Sequence, residues 1–247
     1  MPKKFFTVAV VILSLAIIIA LSDFFSSVIT VGDFAFLTTQ NAKASSYSVY
    51  AISLDKSLTE SDANTKTTMV KQLNGAGYVY KLDNIYHILA SAYENKNDAE
   101  KVLEKLNEES KKNAEIIEIK IDKIEMDMNL SSSEKAILSN SINIFKNSYK
   151  NLYDISISLD TSVKSETECK LLVNTLKSDI QKIKDDFNTQ FSTNLNKKLL
   201  EIKLSLSSLE QNLDELCMTS SSFSSQIKHT YLEIIKLNKD LAKELNA

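Results

Sequence analysis

The chain has 247 residues, of which 43% are hydrophobic and 25% charged, a composition typical of globular proteins. Its formal net charge is only −3 and its basic residues are all lysines, so nothing indicates the concentrated basic face of a nucleic-acid-binding protein. Without arginine, the chain also has no guanidinium group for bidentate recognition of phosphate or carboxylate.

The first patterned segment is apolar. Residues 5–21 contain only two polar side chains and reach the lower length limit of a membrane-spanning helix. Two lysines precede the segment and an aspartate follows it, which predicts a cytoplasmic N-terminus and an extracytoplasmic C-terminal bulk. We therefore expect a cytoplasmic tip with a transmembrane signal anchor at residues 1–25, a linker at 26–45, and a single-pass protein of the cell membrane. A cleaved signal peptide is the alternative, but the A-x-A match at residues 42–44 lies far downstream.

The stretch from residue 46 to 121 alternates β-rich and amphipathic helical segments. Its order predicts an α+β module with a four-stranded antiparallel βαββαβ sheet, one face covered by its two helices and the other face open. Gly75 is expected to take the left-handed conformation that ends the first helix, and Asp83 and Asn84 to form a two-residue hairpin turn. Strands are predicted at 48–53, 77–82, 85–91 and 116–121, and helices at 61–74 and 97–106.

The alternation within each strand divides the sheet residues into two faces. The face predicted to be buried under the helices contains Val49, Ala51, Tyr78, Tyr80, Tyr86, Ile88, Ala90, Ile117 and Ile119. The face predicted to be open contains Tyr50, Ile52, Val79, Lys81, His87, Leu89, Glu118 and Lys120.

Two runs of this module resemble a known family. The first helix ends in Leu73-Asn-Gly-Ala-Gly-Tyr78, and the third strand reads Tyr86-His-Ile-Leu-Ala-Ser91 and precedes a helix with small residues. Together they resemble the SPOR (sporulation-related) domain, over residues 46–121 of a domain that we place at 46–125. The resemblance implies binding to peptidoglycan glycan strands, often stripped of their peptides, at division or sporulation septa.

The resemblance also implies which residues bind the glycan, namely those of the open sheet face. Tyr50 offers a ring for a pyranose face, while His87 and Lys81 supply hydrogen-bond donors. The family often has Gln, Arg and Gly where this chain has Tyr50, His87 and Ser91. The alternative is that this face is solvated or packs against the C-terminal helices. The predicted glycan-binding residues are Tyr50, Ile52, Lys81, His87 and Leu89.

Residues 131–247 follow helical periodicity throughout and predict an all-α helical bundle. Breaks are expected near residues 160–164 and 218–222, and a weaker one at 192–194. The stripe of the second and third helices continues through that weaker break, so a single long helix is the alternative to a hairpin. We favour the hairpin and a four-helix bundle, because it brings together Cys169 and Cys217, the only cysteines, and an oxidising exterior allows a disulfide between them.

The sequence has no motif for catalysis, a metal or a cofactor, so we interpret the protein as a non-enzyme. The main hypothesis is a membrane-anchored cell-envelope protein that binds septal peptidoglycan through its SPOR-like domain in cell division or sporulation. The alternative is a non-catalytic scaffold or adaptor, whose degenerate module and helices dock protein partners or self-associate. A third hypothesis, an RNA-binding sheet with stacking aromatics, is opposed by the predicted export, the negative charge and the lack of arginine.

Overall fold

The computed structural model describes residues 43–126, 128–192, 195–218 and 222–247. In this part the chain is α+β, with an antiparallel sheet and a bundle of four long helices. None of the helices in these ranges is both long enough and apolar enough to cross a membrane. This finding overturns the predicted transmembrane helix as part of the fold, and with it the predicted single-pass membrane localisation. The segment on which that prediction was based, residues 5–21, lies outside the described residues, as do the predicted tip and most of the linker.

The central sheet has four strands in the order β3-β4-β2-β5, with every neighbouring pair antiparallel. Strand β2 runs four residues further than predicted, and its register against β4 shifts between Ile52 and Asp55, which marks a β-bulge. Two short strands, β1 and β6, pair separately. The strands are β1 (Lys43–Ala44), β2 (Tyr47–Ser57), β3 (Tyr78–Leu82), β4 (Ile85–Tyr93), β5 (Glu115–Ile121) and β6 (Ile124–Glu125).

Apart from the short helix α3, which was not predicted, the helices follow the predicted order, and the chain reverses between the second and third helices of the bundle. The helices are α1 (Glu60–Gln72), α2 (Lys96–Glu104), α3 (Glu108–Lys111), α4 (Ser132–Asp160), α5 (Glu166–Gln190), α6 (Lys197–Met218) and α7 (Phe223–Asn246). Capping boxes start α4 and α5, where Ser131 and Ser165 exchange hydrogen bonds with the glutamate three residues later. Antiparallel packing of α5 on α6 is visible in the ion pairs Lys177–Asp214 and Lys184–Glu210.

The molecule is layered, and the sheet lies inside it. On one face, Ile88 packs with Ala63 and Val70 of α1, and Ile52 packs with Ala99 and Val102 of α2. On the other face, the sheet shares one continuous core with the bundle, which contacts the strands mainly through α4 and α7. Helices α5 and α6 pack on α4 and α7 and form the layer furthest from the sheet.

The predicted open face is therefore wrong, because both faces of the sheet are covered. Most of the residues predicted to pack under α1 and α2 instead face the bundle: Val49, Ala51, Tyr78, Tyr80, Ile117 and Ile119. In β4, the prediction is correct for Tyr86, Ile88 and Ala90, which pack against α1. In the other strands the predicted faces were wrong. Both faces of the sheet are apolar, so alternation does not indicate which face the bundle covers and which face α1 and α2 cover.

The loop after α1 ends the helix in a different way from the prediction. Asn74, with φ of 59°, takes the left-handed conformation, and Gly75 N–H donates to Val70 O at 3.0 Å, as in a Schellman motif. Gly75 is required for space, since a Cβ there would lie 2.7 Å from Val70 Cγ1. The predicted turn at Asp83 and Asn84 is confirmed, with φ of 48° and 64°.

Candidate functional site

The structure distributes four of the five predicted glycan-binding residues over both faces of the sheet. Tyr50 is half-buried and Ile52 is 2% exposed, both beside α2. His87 is 6% exposed, and Leu89 is fully buried in the core shared with the bundle. These residues do not form one surface on which a sugar chain could lie.

The fifth residue, Lys81, lies apart from the other four. It is exposed on β3, and its Nζ lies 5.1 Å from the centroid of the Tyr86 ring, within the range of a cation–π contact. A lysine over a half-buried tyrosine is a common surface arrangement, and among the described residues Tyr86 pairs with no second aromatic ring that would make a platform for a sugar.

His87 is held inside the structure. Its Nδ1 lies 3.4 Å from Glu115 Oε1, and the same carboxylate oxygen is 3.4 Å from Lys56 Nζ. Burial lowers the pKa of His87, against the opposing effect of Glu115, so the imidazole is neutral at pH 7. This histidine is therefore enclosed beside Glu115 and does not lie on a surface that a sugar chain could reach.

A cluster of five tyrosines fills the junction between the sheet and the bundle. Neighbouring rings have centroids 6.0–6.4 Å apart, mostly edge to face. Burial raises the pKa of Tyr47 to about 12 and that of Tyr93 to about 12, so these phenols stay neutral across the physiological range. The members are Tyr47 and Tyr93 of the sheet, Tyr149 and Tyr153 of α4, and Tyr231 of α7.

Polar contacts accompany these rings and join α7 to the strands. The backbone N–H of Ala92 donates to the hydroxyl of Tyr231 at 3.1 Å, across 139 residues of sequence. Asn238 Nδ2 donates to the hydroxyl of Tyr47 at 2.9 Å, and Lys239 Nζ donates to the hydroxyl of Tyr80 at 2.8 Å. The side of the sheet that carries Tyr80 is therefore fixed under α7 at several points.

The loop at residues 74–76, which is part of the run that resembles the SPOR domain, is held by the first half of α7. Lys228 Nζ donates to Asn74 O at 2.9 Å, and Ser225 Oγ donates to Gly75 O at 2.7 Å. His229 Nδ1 lies 3.1 Å from Ala76 O. Sequence reasoning missed these contacts because about 150 residues separate the partners. The only available signal was the set of polar side chains on one face of α7, namely Ser222, Ser225, Lys228 and His229.

Lys228 also forms a buried ion pair with Asp160 at the end of α4. The Nζ–Oδ2 distance is 2.5 Å, and the two side chains are 5% and 11% exposed. Ser224 Oγ donates to Asp160 Oδ1 at 2.6 Å and accepts from Lys228 Nζ at 3.0 Å. The three side chains therefore link the end of α4 to the start of α7 in one largely buried set of polar contacts.

A small apolar cavity lies beside the ion pair, where α1, α2, α4 and α7 meet the sheet. Its volume is about 40 Å³, and Ile52, Leu73, Val102 and Ile157 contribute to its lining. That volume admits a few water molecules, whereas sites for small-molecule ligands enclose roughly 300 Å³ or more. Among the described residues, no group of three His, Cys, Asp or Glu side chains is arranged to hold a metal ion.

Cys169 and Cys217 are free thiols, and the predicted disulfide is absent. The hairpin brings α5 and α6 together, but the two thiols lie on different sides of α5. Cys169 is buried with its Sγ 3.9 Å from Ile155 O of α4, while Cys217 is half-buried with its Sγ 3.3 Å from Asn174 Oδ1. Asn174 follows Cys169 by more than one helical turn, which explains the separation of the two sulfur atoms.

Comparisons of the chain with protein-family models, with curated proteins and with solved structures gave no match. The resemblance to the SPOR domain therefore rests on the residues of the 46–121 stretch alone and stays a prediction.

Proposed function

We propose that the protein is a non-catalytic scaffold, in which the sheet and the bundle form one body and protein partners dock on the outer surface. The observation that carries this proposal is that α7 packs over one face of the sheet. Beneath it, Val49, Ala51 and Leu89 are fully buried. A glycan chain that required this face would have to displace α7.

The contacts between α7 and the sheet favour a permanent association of the two. Displacing α7 would expose apolar side chains to water at a cost of about 25 cal/mol per Å². It would also break the hydrogen bonds from Asn238 and Lys239 to the sheet tyrosines, each of which contributes about 1 kcal/mol. These two effects act together, so the covered face is poorly suited to a reversible ligand site.

The outer layer supports docking of proteins. Helices α5 and α6 carry four of the seven large apolar side chains that are exposed among the described residues. Leu200 and Leu204 lie four residues apart and so on one face of α6, where the apolar surface of a partner can cover both. The exposed members are Leu171, Leu200, Leu204 and Met218.

Binding to peptidoglycan glycan strands is the competing proposal, and sedimentation separates the two. The purified full chain is mixed with purified cell walls, before and after an amidase removes the stem peptides. We expect the chain to stay in the supernatant in both cases. Saturable pelleting with the stripped walls, weakened in a Lys81→Ala variant, would overturn the scaffold proposal in favour of a glycan site.

A second measurement tests the docking of proteins directly. A photo-crosslinking amino acid is placed at Leu204 on α6 and, as a matched control, at the exposed Asn64 of α1. In cells that produce the protein, we expect a discrete protein adduct from position 204 and none from position 64. Adducts of equal intensity at both positions, or none at 204, would contradict docking through the outer layer.

A further inference from the structure

Strand β5 has an unpaired edge. It pairs with β2 on one side and is the last strand of the sheet. Across the ranges that the structure describes, no backbone group outside β2 forms a hydrogen bond with β5. The backbone N–H and C=O groups of such an edge are a template for another strand.

The side chains of β5 divide by alternation into a buried set and a charged set. Ile117, Ile119 and Ile121 face the bundle and are at most 8% exposed. Glu118 and Lys120 lie on the opposite face and are exposed. The edge therefore presents one acidic and one basic side chain, two residues apart, with a buried isoleucine between them.

We propose that β5 binds β5 of a second copy of this chain, antiparallel and about a twofold axis at Ile119. In this register, Glu118 of each copy lies opposite Lys120 of the other, and Ile117 lies opposite Ile121. Directly opposite residues of unlike charge stabilise an antiparallel pair, and the twofold axis doubles each such contact.

The charges select this register over its neighbours. A twofold axis at Glu118 would place the two Glu118 carboxylates opposite each other, and an axis at Lys120 would do the same for the two ammonium groups. Both arrangements are repulsive. A slip by one residue would place the isoleucines of one copy opposite the charged residues of the other, so the second copy would have to present its opposite face, which a twofold axis perpendicular to the sheet cannot produce. The axis at Ile119 keeps every residue on its present face.

Charges on an edge strand often prevent pairing, and lysines are the usual choice. A row of lysines repels a second copy of itself. The edge of β5 differs because its exposed charges have opposite signs and match under a twofold axis. A second copy is therefore the occupant that the charges favour over an unrelated extended peptide. The inference does not depend on the proposed scaffold function, since a monomer would serve that function equally well.

Charge reversal tests the pairing in solution. Sedimentation velocity of the full chain is expected to show a reversible dimer. Glu118→Lys alone and Lys120→Glu alone should each raise the dimer dissociation constant about tenfold, because two attractive cross-strand contacts become repulsive. The double reversal restores the complementarity and should return the constant to near the wild-type value. A matched double reversal on α5, Lys182→Glu with Asp186→Lys, should leave it unchanged.

Three results would overturn the proposal. The first is a wild-type chain that stays monomeric at the highest concentration measured, as expected if another segment or partner covers the edge. The second is a dimer that the single reversals do not weaken. The third is a double reversal that fails to restore dimerisation.

Cysteine pairing tests the register separately. The Glu118→Cys chain and the Lys120→Cys chain are prepared with Cys217→Ser and oxidised alone and as a mixture. Directly opposite residues are close enough for a disulfide, whereas diagonal residues are not. We expect a crosslinked dimer only in the mixture. Crosslinking of the Glu118→Cys chain alone would place the axis at residue 118 and refute the proposed register.

Discussion

Lys228 of α7 and Asp160 of α4 form an ion pair inside the junction between the bundle and the sheet, and Lys228 also donates to the backbone carbonyl of Asn74. One side chain therefore joins the first and last helices of the bundle to the loop that ends α1. Because both charges are almost fully buried, neither can be solvated by water if its partner is removed.

We expect Lys228→Met to lower the free energy of unfolding by about 3–5 kcal/mol, because it leaves the Asp160 carboxylate buried without a cation. Lys236→Met is the matched control, since Lys236 pairs with Asp240 on the exposed side of the same helix. That change should cost less than about 1 kcal/mol. Urea denaturation of both variants measures the difference, and equal losses would contradict the importance of the buried pair.

The glycines of the loop after α1 should tolerate alanine poorly. At Gly75 a Cβ would overlap Val70 Cγ1, and at Gly77, where φ is 54°, it would lie 2.7 Å from Thr67 O. We expect Gly75→Ala to cost about 1–3 kcal/mol of stability by overpacking, and Gly77→Ala to cost more, because backbone strain adds to the overlap. Asn74→Gly is the control and should change stability little, since glycine adopts the left-handed conformation of Asn74 freely. Thermal unfolding of the three variants checks this order.

The buried tyrosines should make the protein sensitive to alkali. The pKa of Tyr93 is about 12 in the folded protein and 10.0 in its ordinary state. A raised folded pKa means that the contribution of the phenol is fully present below pH 10 and is lost as the pH rises towards 12. Each pKa unit corresponds to about 1.4 kcal/mol, so the loss is a few kcal/mol. Denaturation in urea at increasing pH should show it, and Tyr93→Phe should remove part of the dependence. An identical pH profile for that variant would contradict the assignment.

The two thiols should differ in accessibility and stay reduced. Burial raises the pKa of both Cys169 and Cys217, so both react slowly at neutral pH. We expect an alkylating reagent to modify Cys217 in the folded protein and Cys169 only after denaturation, and Cys217→Ser to abolish the first reaction. Gels run with and without reductant should show the same mobility. A shift on reduction would mean that the disulfide forms after all.

The local pattern of the sequence predicted the elements well. Alternation placed the four strands of the sheet, and the capping residues and helical stripes located the bundle helices, because both signals depend on neighbouring residues. The break after Asp160 is an example, since Ser165 and Glu168 form the box that begins α5. The prediction ended strand β2 too early. Simple alternation fails at the β-bulge, but β2 goes on pairing with β4 after it.

Local sequence patterns could not predict that the bundle covers one face of the sheet. Leu89 looked like a residue of an open face because its strand neighbours alternate, yet it is fully buried in the core that the sheet shares with the bundle, more than a hundred residues away in α7. The same limit explains Cys169, whose side of α5 depends on how that helix rotates against α4. Periodicity identifies an apolar stripe, but only the packed structure says which neighbour it meets.

Helix α7 lies far along the chain from the sheet that it covers, which has a consequence for biosynthesis. The hydroxyl of Tyr47 in β2 accepts a hydrogen bond from Asn238, 191 residues later, and Lys123 O accepts one from Asn246. A ribosome makes α7 well after the sheet, so one side of the sheet stays uncovered until α7 has emerged. Contacts so distant in sequence also slow folding, because a long loop must close before they form. Nascent or truncated chains should therefore be the forms that chaperones bind and proteases remove.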